Sequence, residues 1–121
     1  MYEILFYENA RGESPVLDYM KNLESKQNSN KSARIELSQI LLHLELLARN
    51  GTRNNANITK KIDGDIWELR PGNNRILYFY YDGQQFILLH LFRKKTQKTP
   101  IREIEQAKSE IKDFLERRTK Q

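Results

Sequence analysis

Cysteine is absent from this chain of 121 residues, and histidine occurs only twice, at His43 and His90. The missing thiols exclude a disulfide scaffold and a thiolate metal site, and they fit a reducing cytoplasm, the expected location. No apolar run approaches membrane-spanning length, so no membrane partner is expected. Tyr2–Tyr7 is apolar but short and interrupted by Glu3, which does not make a signal peptide. A glycine-rich phosphate loop, a His-Glu-x-x-His helix, a metal-binding carboxylate cluster and a Ser-His-Asp set are all missing. No metal and no cofactor are therefore expected. Chemistry, if there is any, falls to Arg, Lys, Glu and Tyr.

What is present is positive charge, unevenly spread. The net charge is +5. Residues 1–66 carry nine basic and nine acidic side chains, whereas residues 67–121 carry twelve and seven. The whole excess thus sits in the second part, where Arg93, Lys94, Lys95 and Lys98 follow one another with no acid between them. Clustered Lys and Arg release counterions when they neutralise phosphates, so this half favours a polyanionic or acidic partner. A surplus of this size is also common on proteins that bind no nucleic acid.

The periodicity gives an α+β chain with a small antiparallel sheet and helices packed on one face, in the order β-α-α-β-β-β-β-α. A single domain is expected over residues 1–121. Tyr2–Tyr7 reads as the first strand. Ser14-Pro15 opens a helix, with Ser14 as N-cap and Val16, Leu17, Met20 and Leu23 at helical spacing. The polar run Ser25–Ser32 reads as a loop. A second helix carries the stripe Ile40, Leu41, Leu44 and Leu47 and stops at Asn50-Gly51. His43 among these leucines reads as a partly buried helix residue rather than a catalyst. Asp63-Gly64, Pro71–Asn74 and Asp82-Gly83 are turns, leaving strands near Ile58–Ile62, Ile66–Arg70, Arg75–Tyr81 and Gln85–Arg93. Thr99-Pro100 opens a last helix, with Ile101, Ile104, Ala107, Ile111, Phe114 and Leu115 on one side.

Turn length fixes register, and register brings distant residues together. With Asp82-Gly83 as a two-residue turn, Tyr81 pairs with Gln84 and Arg75 stands opposite His90. A four-residue turn at Pro71–Asn74 pairs Arg70 with Arg75. Arg70, Arg75 and His90 then form one row on one face, which Lys94 continues beyond the strand end. Two arginines side by side repel unless something anionic separates them. Glu68, two residues before Arg70, is placed to do so as a structural counter-ion, and a bound anion is the alternative. Tyr78 and Tyr80, on the face expected for Ile76, Ile87 and Leu89, read as core rather than as base-stacking platforms.

Trp67-Glu68-Leu69-Arg70, Arg75-Ile76-Leu77-Tyr78 and Leu88–Pro100 with its Phe-x-Lys-Lys-Thr-x-Lys-Thr-Pro segment resemble the phage-related branch of the HigB toxins, in the RelE/ParE superfamily. The resemblance runs from the first strand to the last helix. It implies a RelE-like fold and a ribosome-dependent endoribonuclease that cleaves messenger RNA without a metal. The implied partners are the ribosome, messenger RNA and a HigA-like helix-turn-helix antitoxin. Carried over by position, Arg75 matches the basic residue after the turn in RelE-like toxins, and Lys94 or Lys95 the one after the last strand. Arg70, Arg75, His90, Lys94 and Lys95 are then the catalytic candidates, with Arg93, Lys98 and Glu68 in contact with RNA. A tyrosine that RelE carries near the end is replaced here by Lys98, Thr99 and Pro100. His90, Glu68 and a lysine of lowered pKa remain open as the general base. Two other readings stand beside this one: a ParE-like inhibitor of DNA gyrase without nuclease activity, and a phage protein that binds RNA without cutting it.

Overall fold

A computed structural model describes residues 1–119. Five strands and three helices follow in the expected order: β1 (Glu3–Phe6), α1 (Pro15–Lys26), α2 (Lys31–Asn50), β2 (Thr59–Asp63), β3 (Ile66–Leu69), β4 (Asn74–Asp82), β5 (Gln85–Arg93) and α3 (Ile101–Thr119). They form one sheet in the order β1-β5-β4-β3-β2. The sheet is mostly antiparallel, as expected for an α+β chain, but β1 runs parallel to β5, with Glu3 opposite Gln85 and Phe6 opposite Leu88. Among the described residues no helix is long and apolar enough to cross a membrane.

The helices start and stop where side chains meet the unpaired backbone groups. Pro15 occupies the first turn of α1 after Ser14, as the sequence signals. The Ser14 hydroxyl does not cap the helix, however. It donates to the Tyr7 carbonyl, while the Ser14 N–H donates to Asp18 Oδ2. The helix α2 begins inside the run read as loop, because Asn30 accepts the Ala33 N–H at 3.0 Å and caps it. Its end is Gly51, whose φ of 60° and N–H bond to the Leu47 carbonyl close the last turn.

Helices cover both faces of the sheet, not one. On one face α1 and α2 bring Val16, Leu23, Leu37, Ile40 and Leu47 onto Leu69, Ile76, Tyr78, Phe86 and Leu88. On the other, α3 brings Ile104, Ala107, Ile111 and Phe114 onto Ile66, Leu77, Phe79, Ile87 and Leu89. The reason is in β4 and β5, whose apolar residues occupy both parities and so need cover on both sides. Three residues expected in helical stripes face solvent instead: Leu41, Ile101 and Leu115. His43 is buried in α2, as expected, with Nδ1 at 2.8 Å from the Gln39 carbonyl oxygen.

Two β-bulges correct the expected register. The β4–β5 turn is Gly83-Gln84, because Asp82 pairs with Gln85. Tyr81 is then extra in β4, since Tyr80 already pairs with Phe86, and Leu89 is extra in β5 between the pairs Tyr78–Leu88 and Leu77–His90. Each bulge reverses the faces that follow it. Between them the sequence assignment fails: Tyr78 shares a core with Ile76, Phe86 and Leu88, while Ile87 and Leu89 lie on the opposite side. Tyr78 is buried, as expected of a core residue, whereas Tyr80 is half-exposed. Beyond the second bulge parity is restored. Arg75 and His90 share a face, two residues out of the expected pairing, with Arg75 opposite Phe92 and Leu77 opposite His90.

The α2 terminus supplies a stability test. A β-carbon at Gly51 would lie 2.7 Å from Tyr2 Cε2, whereas one at Gly64 (φ 54°) meets nothing within 4 Å. Both glycines have positive φ, so an alanine costs roughly 1 kcal/mol of backbone strain at either. Gly51→Ala is expected to lower the thermal midpoint clearly more than Gly64→Ala, because only the first also displaces the Tyr2 ring. Equal losses in a melting experiment would contradict that packing.

Candidate nucleic-acid interface

The site is built on a carboxylate where an apolar residue would be expected. In β3, Ile66 and Glu68 point to the α3 side and Leu69 to the other. Glu68 has only 4% of its side chain exposed, and a buried charge persists only when paired and hydrogen-bonded. Its Oε1 accepts Arg70 Nε at 3.1 Å and lies 3.7 Å from Arg75 Nε. Its Oε2 accepts the Thr99 hydroxyl at 2.6 Å.

These contacts fix the two guanidinium planes. Arg75 Nη1 donates to the carbonyls of Gly72 (2.9 Å) and Asn74 (2.8 Å), and Arg70 Nη1 to that of Ala56 (3.0 Å). Arg75, 11% exposed in its side chain, has its pKa lowered, first by burial and then by Arg70, against the opposing pull of Glu68. An arginine begins so far above neutrality that it stays charged.

Thr99 also anchors the segment after β5 across the end of the sheet. Glu68, Arg75, Phe92, Lys94, Lys95, Lys98 and Thr99 consequently line one shallow cleft. The three lysines are exposed. Six of the eight candidate residues thus come together: Glu68, Arg70, Arg75, Lys94, Lys95 and Lys98. The cleft and the adjoining Arg70 offer five cations and a fixed carboxylate to an anionic group. Among the described residues no cluster of His, Asp and Glu is arranged to hold a metal ion.

The other two candidates lie elsewhere. Arg93 pairs with Asn74 and points to the α2 face, where its Nη1 is 3.3 Å from both Glu36 Oε1 and Asn74 Oδ1. His90 shares the face of Arg75 but is sealed beneath α3. Its Nδ1 is 2.6 Å from Glu110 Oε1 and its Nε2 3.1 Å from Glu103 Oε1. Burial works to lower its pKa, but the hydrogen bond and charge of Glu110, then those of Glu103, outweigh it and raise the value above 6.5. With both ring nitrogens engaged by carboxylates, His90 holds α3 to the sheet as an imidazolium. The sequence does carry a signal for this. Glu103 and Glu110 are seven residues apart, two helical turns, on the same side as Ile104, Ala107 and Ile111. Thr99, read only as a helix start, had no such signal.

The fold and cleft define a class first: an α+β protein with a five-stranded mixed sheet, helices on both faces, and a cationic cleft where β3 and β5 end and β4 begins. The chain belongs to the family of phage-derived Gp49-like proteins (DUF891), whose pattern matches residues 18–112. Among solved structures it is similar to a YoeB-YefM complex from Staphylococcus aureus, at 17% identity and a TM-score of 0.48 over 79% of this chain and 99% of that one. A heterotetrameric YoeB-YefM toxin-antitoxin complex from the same organism gives 16% identity and a TM-score of 0.49 over the same shares. No curated protein matches the chain.

The His90 clamp makes the attachment of α3 depend on pH. A histidine whose folded pKa is raised adds stability that is complete below its unfolded value, near 6.5, and disappears as pH rises through the folded value. Wild type is expected to lose thermal stability as pH rises through that window above 6.5, whereas His90→Gln, less stable at low pH, follows a flatter profile there. Parallel profiles for the two proteins would remove the imidazolium from the account.

Proposed function

We propose that this chain is the toxin of a type II toxin–antitoxin pair, a HigB-type member of the RelE/ParE superfamily. In this reading it is a single domain over residues 1–121 that acts in the cytoplasm, cleaves messenger RNA on the ribosome, and is neutralised by a HigA-like helix-turn-helix antitoxin. The observation that carries the reading is the cleft around Glu68. Two arginines are oriented there by one buried carboxylate, with Lys94, Lys95 and Lys98 at its rim. Side chains fixed in this way suit a single phosphate better than a broad protein surface. The resemblance over Trp67–Pro100 supports the same reading.

The reaction is an in-line transfer. The 2′-oxygen of one ribose loses its proton and attacks the adjacent phosphorus, and the 5′-oxygen leaves with a proton, giving a cyclic phosphate and a free hydroxyl. Charge accumulates on the non-bridging oxygens as the pentavalent phosphate forms. Donors already aimed at that charge supply the largest rate term. Arg75, whose Nη1 is held by carbonyls and whose Nε lies beside Glu68, lines the cleft with Nη2 left for a phosphate oxygen. Lys94 and Lys95 add mobile charge. Glu68 is a positioning residue, since Arg70, Arg75 and Thr99 engage both its oxygens.

Expression of the chain alone in a bacterium is expected to arrest growth, and co-expression of its antitoxin to restore it. Lys94→Ala and Lys95→Ala remove exposed side chains and keep the fold, yet cleavage of translated messages, mapped by primer extension, is expected to fall on the order of a hundredfold when a transition-state contact is lost. Arg75→Lys keeps the charge beside Glu68 but loses the planar fork, and is expected to be impaired as well. Full toxicity of all three variants, or intact messages together with gyrase-poisoned DNA, would replace the nuclease reading with the ParE-like one.

A further inference from the structure

The cleft around Glu68 does not end at β3. A second cleft, of about 240 Å³, is lined by Lys60, Lys61, Arg70, Lys98, Thr99 and Ile104 among others. It shares Gln97, Lys98 and Thr99 with the first, so that this segment walls both. The two clefts adjoin across it, and the lining of this double groove runs from the end of β5 across β4 and β3 to β2. That lining carries seven cations (Lys60, Lys61, Arg70, Arg75, Lys94, Lys95 and Lys98), and Glu68 is its one acid. We infer that Lys60, Lys61 and Arg70 form a second phosphate subsite, which holds the same single-stranded RNA beside the phosphate bound at Arg75, Lys94 and Lys95.

The plain alternative is that two lysines on β2, an edge strand, merely prevent pairing with another sheet. Three observations favour the subsite. First, Lys60 stands opposite Glu68 in the β2–β3 ladder, yet Arg70, Arg75 and Thr99 occupy that carboxylate. Second, among the described residues Lys60 and Lys61 enter no ion pair, nor do Lys94, Lys95 and Lys98, while Arg49, Lys108 and Arg117 each have an acidic partner. Third, the groove spans three interstrand intervals of about 4.8 Å each, roughly 14 Å, which exceeds one phosphate group. The ligand that fits such a run of cations is a chain of phosphates. Phe92, half-buried beside Arg75, gives an apolar surface for a base.

The inference rests on the proposal that RNA phosphate binds at Arg75, and its test separates the two. The probe is a fluorescent 2′-O-methyl oligouridylate, which cannot be cut by 2′-oxygen attack, bound to the folded protein over a series of salt concentrations. The double variant K60A/K61A is expected to bind more weakly, with a slope of log K against log salt shallower by about 1.4, or about 0.7 per lost phosphate contact. K21A/K26A removes two exposed lysines from α1, on the opposite face, and is expected to keep the wild-type slope. Equal slopes for wild type and K60A/K61A, an equal loss in K21A/K26A, or no binding by wild type at low salt would each overturn the subsite. Message cleavage with unchanged slopes would leave the nuclease reading standing without it. The expected slope change with intact messages would leave the subsite standing and remove the nuclease.

Discussion

The end of the sheet depends on the burial of one carboxylate. Glu68 occupies an inward position in β3, and a lone buried charge would destabilise the strand strongly. Arg70, Arg75 and Thr99 satisfy it, and in doing so each is fixed in turn. The arginines lose their freedom and keep their charge. The segment after β5, which would otherwise project into solvent, is tied down across the sheet by one hydroxyl. A single internal anion thereby organises an external surface of cations that would otherwise repel one another.

A second clamp uses the same logic with the signs exchanged. His90 is a buried cation between Glu103 and Glu110, and it attaches α3 to the face that carries Glu68. The two clamps stand on either side of Leu77, because Glu68 and His90 are both its partners. Polar groups thus add to the apolar core under α3 in holding that helix and the basic segment to one side of the sheet. Both faces are packed, but the buried carboxylate and imidazole lie on one of them.

Most helix ends and turns were legible in the sequence because their chemistry is local, although the Asn30 cap was missed and the last hairpin turn is Gly83-Gln84 rather than Asp82-Gly83. Ser14-Pro15 and Asn50-Gly51 marked helix ends, and the element order followed from them. Arg70, Arg75, Lys94 and the counter-ion Glu68 were found by counting from turns. The bulged residues Tyr81 and Leu89 were not, since neither differs in type from its neighbours. Their partners across the hairpin decide the slip. The Arg75–His90 face survived only because two bulges cancel. His90 was recognised as unusual but not as enclosed, because the acids that enclose it come from α3, which the one-sided arrangement had placed elsewhere. The apolar residues on both parities of β4 and β5 carried that information.

The parallel ladder between β1 and β5 joins positions 82 residues apart, at Glu3 and Gln85. During synthesis the first strand is made early and has no partner until the last strand has emerged. Until then the α1–α2 pair has only half of its apolar floor, and Tyr2–Tyr7 remains an unpaired edge open to other chains. The basic segment follows β5 directly, so the groove cannot close before that strand and the residues after it have both been made. The cationic surface is therefore assembled only after the long-range ladder that supports it.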